Sequence, residues 1–338
     1  EQPFSSLRFG KPFPAIDAGH AARGALKFGW ERWKLRLFLC ALMIGALAGL
    51  LQLGAPIEDT LRDMRNSARQ RDPSGQIIMV GIDDASIQKF GRWPWPRRYH
   101  ARLVDELHRA GAKEIYFDVD FSSVSSPDDD RQFEQALAKA EGTVVLPALF
   151  AIDSASGRRT DLLPIPAFRT EAELGTINTR YNFLGHVRSM PYALEVGDRV
   201  YPSFAARIAG HAGSAGETFP LDYSVDFRRA RVLSAASVVE GDFDPATVRG
   251  KTILIGVVSR QTGDTYLFPG YGLHSGVYLH LIGAETLLKG RPVVLSWVAP
   301  FAVALLTLIG LMSLRSRALA GAGATGIAAL ILVVQSVL

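Results

Sequence analysis

The sequence predicts an α/β fold: one mixed α/β domain with a βαβαβ-like N-terminal part, held between α-helical transmembrane spans. Two observations predict it. Leu37–Ile57, Val293–Leu314 and Ala318–Leu338 are apolar runs without a charged residue, and at about 1.5 Å rise per residue each is long enough to cross a hydrocarbon core of roughly 30 Å. Between them, uniformly apolar stretches of strand length alternate with amphipathic stretches of helix length. Short connections between such elements imply parallel strands with right-handed crossovers.

Charge sets the expected topology. Residues 1–36 carry Arg8, Lys11, Arg23, Lys27, Arg32, Lys34 and Arg36 against Glu1, Asp17 and Glu31, and Arg315 and Arg317 lie between the last two runs. A basic excess of this kind belongs on the cytoplasmic side. The expected organisation is a cytoplasmic leader at 1–36, transmembrane helices at 37–57, 293–314 and 318–338, and an extracytoplasmic domain at 58–292. The leader is too long for the n-region of an ordinary signal peptide, so the first run reads as an uncleaved anchor. This layout leaves little chain in the cytoplasm, and a further span with a cytoplasmic output domain is expected in the whole protein. The formal net charge of +4 is no sign of nucleic-acid binding. Once the leader is set aside, no basic, aromatic-interleaved face is left over. The single cysteine, Cys40, lies in the first run, so the outer domain offers neither a disulfide, a thiolate metal site nor a Cys nucleophile.

The elements of the outer domain follow in order. Ile57, Leu61, Met64 and Ala68 recur at helical spacing and continue the first run as an amphipathic helix. The stretch "QIIMVGIDD" is a buried strand, and its Asp83–Asp84 pair caps a short helix. "RRYHARLVDELHRAGA" is a helix ended by Gly111, "KEIYFDVDF" a second strand, and "PDDDRQFEQALAKAEG" a second long helix whose acidic first turn suits the helix dipole. "TVVLPALF" is a third strand. The middle of the domain reads as hairpin strands around a Gly197–Asp198 turn, a helix from about Ser203, and a strand in "FPLDYSVDF". "GKTILIGVV" is the last buried strand, and "VYLHLIGAETLLKG" is a helix leading to the second run.

Two groups of residues are candidate ligand contacts. In "GRWPWPRRYH", Pro94 and Pro96 stiffen the chain and restrict the residues before them. Trp93 and Trp95 beside Arg92, Arg97 and Arg98 could grip a charged ligand through bidentate or cation–π contacts. The competing role is packing and a stiff helix start. Asp83, Asp84, Asp118, Asp120 and Asp264 fall near strand ends, where open α/β sheets bind ligands. They could hold a hard cation, but helix capping and turn formation are the commoner work of Asp. His100, His108, His186, His211, His274 and His280 come without a Gly-x-Ser-x-Gly elbow, so no catalytic and no metal residues are assigned. "GAGATG" at 321–326 fits a dinucleotide fingerprint literally, yet it lies inside an apolar run with no preceding strand.

The blocks "VGIDDASIQKFGRWPWPRRYHARLVDEL", "GAKEIYFDVDFS", "DDDRQFEQAL", "YPSFAARIAG", "VRGKTILIG" and "GVYLHLIGAETLL" resemble, in order, the CHASE2 domain, the extracytoplasmic sensory module of bacterial membrane signalling proteins. One departure concerns a turn where the family often has an Asp-rich stretch before an Arg–Arg pair. Here "NFLGHVRSMP" has Arg188 and no acid. The resemblance implies a bacterial inner-membrane receptor that senses an unidentified signal or protein partner, works as a homodimer, and controls a cytoplasmic output. That output is an adenylate or guanylate cyclase, a diguanylate cyclase with or without a phosphodiesterase, or a histidine or Ser/Thr kinase. A nucleotide second-messenger enzyme is the preferred expectation and a non-catalytic envelope scaffold the competing one. No cofactor is expected in this segment; Mg²⁺ with ATP or GTP would belong to the output domain.

Overall fold

The structure is a computed structural model that describes residues 55–91, 93–182, 185–259 and 265–292, with scattered positions in 36–51 and 302–306. The chain divides into two units, Glu1–Ile57 with Leu295–Leu338, and Glu58–Val294. Apart from those scattered positions, the apolar runs 37–57, 293–314 and 318–338 lie outside the described residues. Among the described residues no helix is long and apolar enough to cross a membrane.

The second unit is built on a mostly parallel sheet. After helix α1 (Ala55–Ala68) the chain forms β1 (Ile77–Ile82), α2 (Asp84–Phe90), α3 (Arg97–Arg109), β2 (Glu114–Asp118), α4 (Pro127–Lys139) and β3 (Val144–Ile152). β4 (Arg159–Leu162), α5 (Pro166–Glu171) and β5 (Glu173–Thr176) follow, then β6 (Ser189–Pro191) and the hairpin β7 (Ala193–Val196) and β8 (Arg199–Pro202). The rest is α6 (Phe204–Ile208), β9 (Thr218–Pro220), β10 (Val232–Ser234), α7 (Ala235–Glu240), β11 (Thr252–Val257), β12 (Thr265–Phe268), β13 (Gly272–Ser275) and α8 (Val277–Leu288). The sheet runs β10-β1-β11-β2-β3, with β5 parallel and β4 antiparallel to β3. β11 therefore lies between β1 and β2, in the register Gly81↔Gly256 and Gly256↔Asp118.

Burial on both faces explains the near-continuous apolar strands. β1 is buried at all six positions. One face packs Ile78, Val80, Phe117 and Ile255 against Leu103, Val104 and Leu107 of α3, Phe133 of α4 and Val238 of α7. Phe133 is fully buried and stacked on Phe121 at 4.8 Å; burying one such ring contributes about 1.5–3 kcal/mol. The other face packs Ile77, Met79, Tyr116 and Leu254 against α6 and α8. α8 lies so close to β11 that a Cβ on Gly256 would meet Val277 at 2.6 Å. One predicted strand is corrected. In "FPLDYSVDF" only Phe219 and Pro220 belong to a strand, β9, and Val225 makes a single parallel bridge to Arg71. Asp222 accepts from the Ser224 N–H and hydroxyl, and Asp226 from the Arg228 N–H, so local side-chain bonds turn the chain instead.

Candidate functional site

The chain leaves β1 and β2 towards the helices of the first face and leaves β11 towards α8 on the second. Open α/β sheets form their ligand crevice at such a change of side, outside the carboxyl ends of the strands, and Asp83, Asp84 and Asp118 fall at those ends. Asp83 is the N-cap of α2, accepting from the Ser86 N–H at 2.8 Å. It also accepts from the Ser86 and Ser234 hydroxyls at 2.5 and 3.1 Å. The Ser86 hydroxyl accepts from the Ala236 N–H, so the starts of α2 and α7 are locked together. Asp84 accepts from the Ser259 hydroxyl at the end of β11. Capping is thus the visible work of Asp83 alone, while Asp84, the first residue of α2, ties the helix to the end of β11.

One strand further on, Asp118 ends β2 with its side chain 9% exposed, and His280 Nε2 of α8 lies 3.8 Å from its Oδ1. That distance is an ionic approach and too long for a hydrogen bond. Burial pushes the Asp118 carboxyl up to about 7, because removing water disfavours the charged form. The ring of Phe204 lies 5.6 Å from that of His280 and closes the site on the α6 side. The Asp118 carboxyl can hold a proton near neutral pH. Asp120, by contrast, is exposed and bonds the N–H and hydroxyl of Ser122. Asp264 and Arg92 lie outside the described residues.

The Trp/Pro/Arg stretch is placed elsewhere. Trp95 is 3% exposed and donates its indole N–H to the Gly91 carbonyl. Trp93 is half-buried and meets Trp95 edge to face at 5.6 Å. Arg97 is 7% exposed, donates to the carbonyls of Asp120 and Ser123, and lies 4.5 Å over the Phe121 ring. Burial lowers its pKa, against the opposing charges of Asp130 and Asp120. Arg98 reaches both oxygens of Asp129 at 3.1 and 3.2 Å. Beneath them His100 is fully buried, ringed by Trp93, Trp95, Phe117, Phe121 and Phe133 at 5.4–6.3 Å. Neither ring nitrogen has a hydrogen-bond partner, and burial, with the nearby Arg97 charge, holds the imidazole down at about 3.

A second polar cluster was not singled out from the sequence. Arg188 donates to both oxygens of Asp63 at 2.8 and 2.9 Å, and its Nε lies 3.0 Å from Asp59. Burial opposes its charge, but the Asp63 bonds and the two carboxylates outweigh that and raise its pKa. The acid missing from the Arg188 turn thus comes from α1. Its signal is Asp59 and Asp63, four apart and so on one helix face. Close by, Glu285 of α8 is 1% exposed and accepts from the Ser74 N–H and hydroxyl at 2.9 and 2.7 Å. Arg71 donates to the Glu285 carbonyl at 3.1 Å and pairs with Asp222 at 3.4 Å. α1 and α8, the elements that adjoin two of the apolar runs, are both fastened to the body by buried charge.

Comparison with known proteins adds the family. No curated relative and no solved structure matches the chain. A family model described as the CHASE2 domain matches residues 37–315, which covers the sheet, the crevice and both fastened helices. The chain belongs to the CHASE2 family, whose domain is an extracellular sensory domain of signalling receptors.

Proposed function

We propose that this chain is the signal-sensing and transmembrane input module of a bacterial inner-membrane receptor, with its N-terminus cytoplasmic and residues 58–292 outside. Its output is a nucleotide second-messenger enzyme, an adenylate or guanylate cyclase or a diguanylate cyclase with or without phosphodiesterase. That enzyme acts in a homodimer and takes Mg²⁺ with ATP or GTP. The observation that carries the sensing role is the course of α8. It presents His280 to Asp118 in the crevice and, within the same helix, Glu285 to Arg71 and Ser74. A signal that binds one placement of α8 better than another shifts the equilibrium by that difference in affinity, and the shift reaches the chain on both sides of the domain.

The test uses membranes holding the whole protein, supplied with ATP and GTP and read by mass spectrometry. Cyclic AMP, cyclic GMP or cyclic di-GMP supports the reading and names the class, and loss of added cyclic di-GMP names a phosphodiesterase. Arg188→Ala is expected to change the basal rate per folded molecule. Phosphorylated protein in place of a cyclic nucleotide replaces the proposed output with a kinase, and no turnover of any kind favours a scaffold.

A further inference from the structure

At the opposite, amino end of the strands two turns meet. "GAK" before β2 and "GK" before β11 bring Lys113 and Lys251 side by side: the Lys113 N–H donates to the Lys251 carbonyl at 2.8 Å, and the Gly250 N–H to the Gly111 carbonyl at 2.7 Å. Between them opens a cavity of about 100 Å³, lined also by Gln76, Thr252, Ile208 and Leu288. At roughly 30 Å³ per water that is room for about three waters or one small tetrahedral oxyanion. No carboxylate lines it. Among the described residues neither lysine side chain makes an ion pair or a hydrogen bond.

Two lysines lining a small polar cavity, with Thr252 and Gln76 also on its wall, are complementary in charge and hydrogen bonding to a phosphate group. Leu288, on the same wall, is five residues before the apolar run at 293. An extended chain covers at most about 3.6 Å per residue, so Leu288 is no more than about 18 Å along the chain from the start of that run. We infer that the Lys113–Lys251 cavity binds a phosphate-bearing anion, supplied either by the headgroup of an anionic phospholipid or by free phosphate. Only the lipid source rests on reading 293–314 as a membrane span.

The test uses the whole chain in nanodiscs of phosphatidylcholine, with or without phosphatidylglycerol, and follows thermal unfolding at fixed ionic strength. Inorganic phosphate is titrated in the first kind of disc. The expected result is stabilisation by phosphatidylglycerol, by phosphate, or by both, lost in Lys113→Gln/Lys251→Gln with at least about a tenfold rise in the half-saturating concentration. Stabilisation by phosphatidylglycerol alone names the lipid as source, and by phosphate alone the free ion. Lys113→Arg/Lys251→Arg keeps the charge and is expected to keep the response, which separates lost binding from lost folding. A wild-type chain stabilised by neither, or a Gln variant that responds as wild type, overturns the site. A chain that stays out of the discs overturns the span instead, and the phosphate titration in detergent then judges the cavity.

Discussion

Arg97 and Arg188 lie on opposite faces of the central sheet, and each has largely left the water. Arg97 is met by two backbone carbonyls and an aromatic ring, whereas Arg188 is met by two carboxylates from another helix. Carbonyls orient a guanidinium without cancelling its charge, so Arg97 pins one loop and its pKa falls. Carboxylates cancel the charge, so Arg188 links two elements and its pKa rises. The first arrangement suits a stiff face and the second a joint that can be made or broken. The difference teaches that a buried arginine is best read from what answers it.

The contrast can be broken or sharpened experimentally. Trp95→Ala, on the stiff face, is expected to cost about 3–5 kcal/mol in denaturant unfolding, as for other buried Trp truncations, with the α1 linkage intact. A small cost would mean that the Trp/Pro/Arg stretch is not the packed element described here. Asp118→Asn tests the buried carboxyl end of β2. The folded carboxyl titrates at about 7 and an unfolded one near 4. The native state therefore binds the extra proton, and wild-type stability falls as pH rises between those values. The Asn variant is expected to match wild type at pH 4 and to exceed it at pH 8 by up to about 4 kcal/mol. A pH-independent difference would contradict the buried carboxyl.

Arg188→Ala is expected to cost about 2–3 kcal/mol, below the range for a fully buried pair because Asp59 and Asp63 keep some water. A double-mutant cycle with Asp63→Ala should show strong coupling, and additive effects would deny the joint. The smallest effect belongs to His100→Leu. The folded imidazole titrates at about 3, so it is the unfolded state that takes up protons as pH falls below about 6.5. The variant should lie within about 1 kcal/mol of wild type at pH 8, and exceed it by about 1 kcal/mol at pH 5.5.

Much of the stiff face was legible in the sequence. Helices α3 and α4 are amphipathic segments whose periodicity marks them, and strands β1, β2, β3 and β11 are short, nearly continuous apolar runs; α8, on the other face, was legible as an apolar run of helix length. Asp83 was legible as a cap because the residue type and its place before a helix coincide. Placement of β11 between β1 and β2 was not, since strand order depends on contacts between residues far apart in the chain. The same limit hid the site. Nothing local to His280 points to Asp118. Nothing local to Arg188 points to α1. Short elements such as β10 and α7 escaped because they cover three and six residues, too few for a period to register.

The central place of β11 has a consequence for how the domain is made. Its neighbours β1 and β2 leave the ribosome early, but the strand that joins them arrives near the end of the domain. Until Thr252–Val257 is available, both earlier strands carry unpaired edges, a form prone to wrong association. Folding then depends on contacts of long sequence separation, which are slow to form. A nascent chain arrested before Thr252 should be protease-sensitive from Glu58 onward, and one released after Leu288 should acquire resistance in a single step.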